Sequence, residues 1–360
     1  MRSFTIILKI VEGTPLANDI RLIDLLRGCE VCIPDDADFV VALGNFDGVH
    51  RAHAALLDTG LCLAEQISLH QKKDVLCAAW TFAAPSGDYF LTSPPAHLTT
   101  LRERLALFAA TGITHAFLAD FASLRDCSPQ AFMEDILIKR CHTIGVACGY
   151  NFLFGKNGAG DASLLAERFR GCTAVLPKTC FSNQDPTAIS SSLVRTLLTE
   201  GIVERAEQAL GYPYFLHAPV LHGKQLGRTL GVPTINQCFP SDKLIPKCGI
   251  YATLCILPDG SIYPGVSNVG RRPTVDNNGA INCETHIPDI SLDLYEKDVT
   301  VCFILRLRDE QQFSSLDALQ YAIRQDVEHM RMALSPLTSI DLSVRCDRVK
   351  SAIAQLPLIN

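Results

Sequence analysis

The sequence predicts two domains of different class, a parallel α/β sheet in the N-terminal half and a mainly antiparallel β structure in the C-terminal half. Three observations carry this. Apolar runs at 39–43 (FVVAL), 75–80 (VLCAAW), 115–118 (HAFL) and 144–148 (IGVAC) have strand length and little alternation, with helical spacing between them. Strand, helix, strand in repetition describes a sheet covered on both faces, with its ligand crevice beyond the carboxyl ends of the strands. Further on, short β-type segments follow one another near 214–221, 249–257, 261–267, 281–287 and 299–307, and Pro258, Asp259 and Gly260 mark a hairpin. The 360 residues, 48% hydrophobic and 19% charged, are enough for two separate cores.

Residues 4–11 (FTIILKIV) form an apolar run interrupted by Lys9, too short to span a bilayer and read as a strand. In 99–111, Leu101, Leu105 and Phe108 share a face, Thr100 with Glu103 makes a capping box, and Gly112 is a stop. In 128–141, Ser128 caps, Pro129 takes the first helical position, and Phe132 and Ile136 face inward. A helical connector runs from Ser190 to Leu210, divided by Gly201 and ended by Gly211. Helical spacing returns in 315–331 through Leu316, Leu319, Ile323, Val327 and Met330. After that, Leu342, Val344 and Val349 fit either a packed extension or a mobile terminus.

Composition narrows the function. A net charge of −6 provides no broad basic face, so nucleic acid is not expected as a partner; nor is a membrane, and the chain reads as cytoplasmic. The fifteen cysteines are spread from Cys29 to Cys346 without a secretory signal and read as reduced, packed thiols. Only Cys29 and Cys32 have CxxC spacing, and Pro34 follows where a redox helix would begin.

Two constellations carry chemistry. GNFDGVHRAH (44–53) follows the first buried strand; Gly44 and Gly48 allow close backbone approach, and His50 and His53 project from one face of a starting helix. Imidazoles beside backbone N–H groups suit ATP phosphates and departing pyrophosphate, although a turn with two surface histidines fits the same residues. GYNFLFGKNGAGD (149–161) and ISSSLVR (189–195) fit phosphate or a flat ring. In the C-terminal half, HGKQLGRTLGVPTIN (222–236) combines Gly223, Gly227 and Gly231 with Lys224 and Arg228, while Thr234 and Asn236 offer oxygen ligands for Mg²⁺. GVSNVGRRPT (265–274) adds a polar turn with paired arginines, and CETH (283–286) places Glu284 on a strand as a candidate general base.

In this order and spacing the N-terminal motifs resemble the adenylyltransferase module of bacterial bifunctional riboflavin kinase/FMN adenylyltransferases, also called FAD synthetases. HGKQLGRTLGVPTIN, IPKCGIYA (245–252), GVSNVGRRPT and ETH resemble the riboflavin kinase module of the same family. The resemblance implies a Rossmann-like nucleotidyltransferase domain with a parallel sheet at 1–188, a connector at 189–212, a six-stranded antiparallel riboflavin-kinase barrel with a terminal helix at 213–335, and an extension at 336–360. It implies His50, His53, Arg195 and Glu284 as catalytic residues. It places Asn45, Phe46, Gly48, Asn151, Ser191, Ser192, Gly223, Lys224, Gly227 and Arg228 around ATP, with Asn151 at a flavin-nucleotide or ATP contact. Thr234 and Asn236 would hold Mg²⁺-ATP, and riboflavin, FMN and ATP would be the substrates.

The sequence departs from the family in several places. It reads His50-Arg51-Ala52-His53 for HxGH, an added methyl expected to weaken ATP binding about 10- to 100-fold. It also has TFAAPS (81–86) for TFxPHP, Leu153 for a basic residue, Ile235 within PTAN, Val275 for an aromatic, and LYEK (294–297) for LYGK. A kinase with a degenerate first domain, a flavin- or nucleotide-binding regulatory protein, and an adenylyltransferase for another phosphate ester remain alternatives at this level.

Overall fold

The computed structural model describes residues 20–25, 29–82, 96–222, 231–271, 281–290, 292–336 and 338–356. They divide into two compact units, Met1–Ser190 with Ser351–Asn360, and Ser191–Lys350. The 4–11 run lies outside the described residues.

The first unit is built on a seven-stranded sheet. Its strands are β1 (Ile20–Asp24), β2 (Cys29–Val31), β3 (Asp38–Leu43), β4 (Val75–Phe82), β5 (His115–Ala119), β6 (Thr143–Gly149) and β9 (Thr173–Leu176), in the order β2-β1-β5-β4-β3-β6-β9. The four apolar runs become β3 to β6, and β5-β4-β3-β6-β9 are parallel. β1 and β2 add an antiparallel edge that periodicity did not reveal, nor did it reveal β9. A small ribbon of β7 (Leu153–Phe154) and β8 (Gly160–Asp161) stands apart.

Helices cover both faces because the central strands are apolar on both. Helix α1 (Arg51–Gln71) buries Leu56, Leu57, Gly60, Ala64 and Ile67. It approaches the sheet so closely that a Cβ at Gly60 would lie 3.0 Å from Cys77 Sγ. Helix α2 (Leu101–Ala110) forms with both bonds of the expected Thr100/Glu103 capping box, and Gly112 follows at φ +89°. The predicted 128–141 helix begins at Pro129 but widens to a π-helical stretch over Phe132–Arg140, with Cys141 N–H donating to the Ile136 carbonyl. The wider turn still buries Phe132 and Ile136, and adds Met133 and Leu137. Helix α3 (Ala162–Arg168) completes this core.

The second unit opens with α4 (Ser191–Glu200) and α5 (Val203–Leu210), parted at Gly201 and ended by a left-handed Gly211. Six antiparallel strands follow: β10 (Phe215–Pro219), β11 (Thr234–Cys238), β12 (Gly249–Ile256), β13 (Ile262–Arg271), β14 (Ile281–His286) and β15 (Asp298–Arg308), in the order β10-β15-β12-β13-β14-β11. β11 was hidden inside what the sequence read as a phosphate loop. The β10 and β11 ends of the sheet meet at an isolated Leu221–Asn236 bridge. There the buried Gln237 side chain donates to the carbonyls of Ala218 (2.6 Å) and Val299 (2.8 Å), drawing the sheet into a near-closed barrel. Inside, hydroxyls of Thr253, Ser267 and Thr285 satisfy one another at 2.9 and 2.8 Å.

Helix α6 (Leu316–Leu334) starts at a Ser315 cap and buries Asp326, Val327, Met330 and Leu334, whereas Leu316, expected on its apolar face, is 56% exposed. The buried Asp326 is held by both arms of Arg308, at 2.8 and 2.7 Å. Helix α7 (Ser339–Gln355) occupies the terminal segment whose state the sequence left open. Arg345 grips Glu207 at 2.5 and 2.6 Å, and Cys346 and Val349 are buried while Val344 is exposed.

Two outcomes follow from this packing. Replacing Gln237 with leucine strands two carbonyls at the closure, and is expected to lower stability by about 1–3 kcal/mol in chemical denaturation. Burial pushes Cys77, Cys141 and Cys283 up to about 12 and Cys148 up to about 11, whereas Cys32, Cys62 and Cys238 are exposed. A thiol reagent near pH 8 should therefore label the exposed three quickly and the buried ones only after unfolding, read by mass spectrometry of the labelled peptides.

Candidate active sites

In the first unit the chain runs from β3 to β4 and β5 on one side, then crosses back to lay β6 and β9 on the other. The strand order reverses between β3 and β6, and a parallel sheet opens its crevice beyond the carboxyl ends at that point. Both N-terminal motifs emerge there. Gly44–His50 leaves β3 and enters α1, while Tyr150, Asn151 and Phe152 leave β6.

The turn after β3 is held in an uncommon backbone shape. Phe46 (φ +55°), Gly48 (φ +80°) and Val49 (φ +34°) all lie in the left-handed region, at a cost on the order of 1–3 kcal/mol for each non-glycine residue. Surrounding bonds hold it. The Asp47 carboxylate accepts from the N–H groups of Leu98 (3.0 Å) and Thr99 (3.1 Å), and Gly48 N–H donates to Thr99 Oγ1 at 3.1 Å. Thr81 Oγ1 donates to the Asn45 carbonyl at 2.9 Å while accepting from the buried Arg104 guanidinium at 3.0 Å. The Phe46 ring is fully buried against Phe108, with centroids 5.2 Å apart, and a Cβ on Gly44 would press on it at 3.0 Å. The Phe46 ring is thus an anchor of the turn.

The two histidines meet at the head of α1. His50 is its N-cap, with Nδ1 accepting from His53 N–H at 3.3 Å. That bond fixes Nδ1 as the acceptor, so in neutral His50 the ring proton sits on Nε2. The His53 ring stacks on His50 at 3.6 Å and 12°. Two imidazoles thus stand at the positive end of a 21-residue helix, an arrangement whose chemistry suits an anion. Ala52 lies in the first helical turn, where alanine has no backbone penalty. Asn151 is exposed at the end of β6, and Leu153 is 63% exposed.

In the barrel, register brings the other residues together. Asn236 on β11 pairs directly with Glu284 on β14, which pairs directly with Asn268 on β13; Thr234 pairs with His286 one step along. Gln237, Cys283, Thr285, Ser267 and Val269 alternate with them and are 0–1% exposed. Thr234, Asn236, Glu284 and Asn268 therefore share the outer face. The His286 Nδ1–H donates to the Pro233 carbonyl at 2.8 Å, fixing the turn into β11. Beside Thr234 lies a cavity of about 600 Å³ whose walls include Val220, Ile287, Leu292, Asp293 and Tyr295. Tyr295 stacks on His222 at 4.0 Å, and the next residue, Glu296, occupies a left-handed position (φ +62°) where the family has glycine.

Several expected residues are not placed in these sites. Gly223, Lys224, Gly227 and Arg228, the 272–275 turn and residues 83–86 lie outside the described residues. Ser191 and Arg195 are half-buried and Ser192 exposed on α4, the first element of the second unit. Sequence reasoning missed Asp47, which lies in the turn itself, and Thr99 and Arg104, which brace that turn from about fifty residues away and leave no local periodicity. It also passed over Asn268, although GVSNVGRRPT had been singled out.

Comparison with known proteins agrees with both halves. The family model for riboflavin kinase matches residues 210–334, and that for FAD synthetase matches residues 32–193. A bifunctional riboflavin kinase/FMN adenylyltransferase of Pseudomonas fluorescens is 33% identical over 87% of this chain and 98% of its own length. One from Escherichia coli K12 is 34% identical over 80% of this chain and 90% of its own. A crystal structure of a Streptococcus pneumoniae protein described as a macrolide-efflux protein superposes with a TM-score of 0.73 at 26% identity, covering 83% of this chain and 95% of that one. No helix among the described residues is long and apolar enough to cross a membrane. With both modules matched in the same order along nearly the whole of such relatives, the chain belongs to the bifunctional riboflavin kinase/FMN adenylyltransferase family.

Proposed function

We propose that the barrel transfers the γ-phosphoryl group of ATP to the terminal ribityl hydroxyl of riboflavin, and that the α/β unit joins the resulting FMN to the AMP portion of a second ATP. The kinase reading rests above all on the register that sets Glu284 beside Asn236, with Thr234 on the same face. In that step the hydroxyl oxygen bonds to the γ-phosphorus, ADP leaves, and Glu284 takes the hydroxyl proton.

The oxygens of Thr234 and Asn236 are hard, neutral donors beside one carboxylate, and no group of three or more acidic, histidine or cysteine side chains suited to a metal occurs among the described residues. Such a pair fits Mg²⁺ whose charge is met mainly by the triphosphate. Bound there, Mg²⁺ neutralises phosphate charge. Lys224 and Arg228, with the amides of Gly223 and Gly227, are assigned to the same phosphates by their motif. The cavity with Tyr295 on its wall suits the base of ATP.

In the α/β unit an FMN phosphate oxygen attacks the α-phosphorus and pyrophosphate leaves. The paired imidazoles of His50 and His53 at the head of α1 favour this reading, since they and the helix end meet the charge developing on the departing group. Asn45, Phe46 and Gly48 are assigned to ATP by their motif, and Asn151 to the flavin nucleotide or ATP. Ser191, Ser192 and Arg195 are assigned to ATP by their motif alone. The setting is the cytoplasm, where the buried, unpaired thiols stay reduced.

A chromatographic product assay separates the two sites. Glu284→Gln is expected to lower FMN formation from riboflavin at least about 100-fold while FMN is still converted to FAD. His53→Ala should do the reverse, stopping the flavin at FMN; unchanged FAD formation would remove the role given to the histidines. Ala52→Gly is expected to lower the KM for ATP in FAD formation by about 10- to 100-fold and leave the kinase step unaltered, as steady-state kinetics on each half-reaction will show.

A further inference from the structure

The row across the outer barrel face has a direction. β11 contributes Thr234 and Asn236, the residues proposed to hold the phosphoryl donor, and β14 contributes the base Glu284. On the far side of Glu284, directly in register, stands Asn268 of β13. A base that takes the acceptor's proton must touch the acceptor, and the donor already claims its β11 side. The acceptor alcohol is left with the β13 side.

Asn268 is equipped for that position. Its Oδ1 is sealed from water and receives no hydrogen bond from the protein. A buried amide oxygen without a donor is destabilising, and one retained in a native fold calls for a reason. Side chains directly opposite on antiparallel strands have Cβ atoms about 4.5–5.5 Å apart, a separation that two neighbouring hydroxyls of one polyol chain can bridge. The terminal hydroxyl of such a chain would face Glu284, and the hydroxyl beside it would face Asn268.

We propose that Asn268 Oδ1 accepts a hydrogen bond from the ribityl hydroxyl next to the one that is phosphorylated, making Asn268 an acceptor-binding residue of the kinase site. The inference rests on the kinase reading above. It makes the site selective for a flavin side chain with adjacent terminal hydroxyls, because a chain lacking the inner one leaves the amide oxygen unmet.

The test compares wild type, Asn268→Leu and Asn268→Ser on riboflavin and on 4′-deoxyriboflavin, measuring KM and kcat for phosphorylation. Wild type should prefer riboflavin by about five- to tenfold in kcat/KM, the scale of one neutral hydrogen bond. Asn268→Leu should lose that preference, acting on riboflavin about as it acts on the deoxy analogue, and Asn268→Ser should restore part of it. Equal losses on both flavins in the leucine and serine variants would reduce Asn268 to a structural residue and overturn the proposal, as would a wild-type enzyme indifferent to the inner hydroxyl. A wild-type protein that phosphorylates neither flavin would instead overturn the kinase reading itself.

Discussion

The antiparallel register of β11, β14 and β13 is the constraint on which the kinase half depends. Strand side chains alternate between faces, so a slip of one residue would turn Asn236 and Glu284 into the barrel interior and bring Gln237 and Cys283 out. Such a slip is opposed from inside. Gln237 is committed to two carbonyls, and Ser267 and Thr285 are committed to each other. The buried polar contacts therefore fix the alignment that the outer chemistry needs, and catalytic geometry and barrel packing become one property.

The α/β half solves the same problem with a turn in place of a ladder. Left-handed Phe46 and Val49 would relax if the turn were free, and Asp47 clamps it to Leu98 and Thr99 while Arg104 braces it through Thr81. This bracing delivers His50 to the first position of α1, where a single ring nitrogen both starts the helix and orients the imidazole. Substitution at His50 therefore removes a cap as well as an imidazole. His53, which does not cap, separates chemistry from stability more cleanly.

The central strands and the principal helices were legible because their apolar periodicity is long and locally punctuated, as at Thr100/Glu103 and Gly211. The edge strands β1, β2 and β9 were not, since short strands at a sheet margin carry little pattern of their own. β11 was obscured by its overlap with a motif whose glycines and charges speak of a loop. The candidate site residues were proposed where several chemical types cluster within ten or so positions. Residues that brace a turn across about fifty positions, such as Thr99 and Arg104, show in sequence only as ordinary residues at and within another helix. Membership of a binding motif likewise does not tell which way a ring such as that of Phe46 faces, and here it is fully buried against Phe108.

Closure of the barrel has one further consequence. The joint between β10 and β11 is bridged at Leu221–Asn236 and braced by Gln237, whereas β11, β14 and β13 are zipped by continuous ladders. The Thr234/Asn236 end of the row borders this seam, and the Asn268 end lies within unbroken sheet. A parting of the barrel at the seam breaks fewer backbone hydrogen bonds than one between β11, β14 and β13, which makes the seam the cheaper place for the barrel to open.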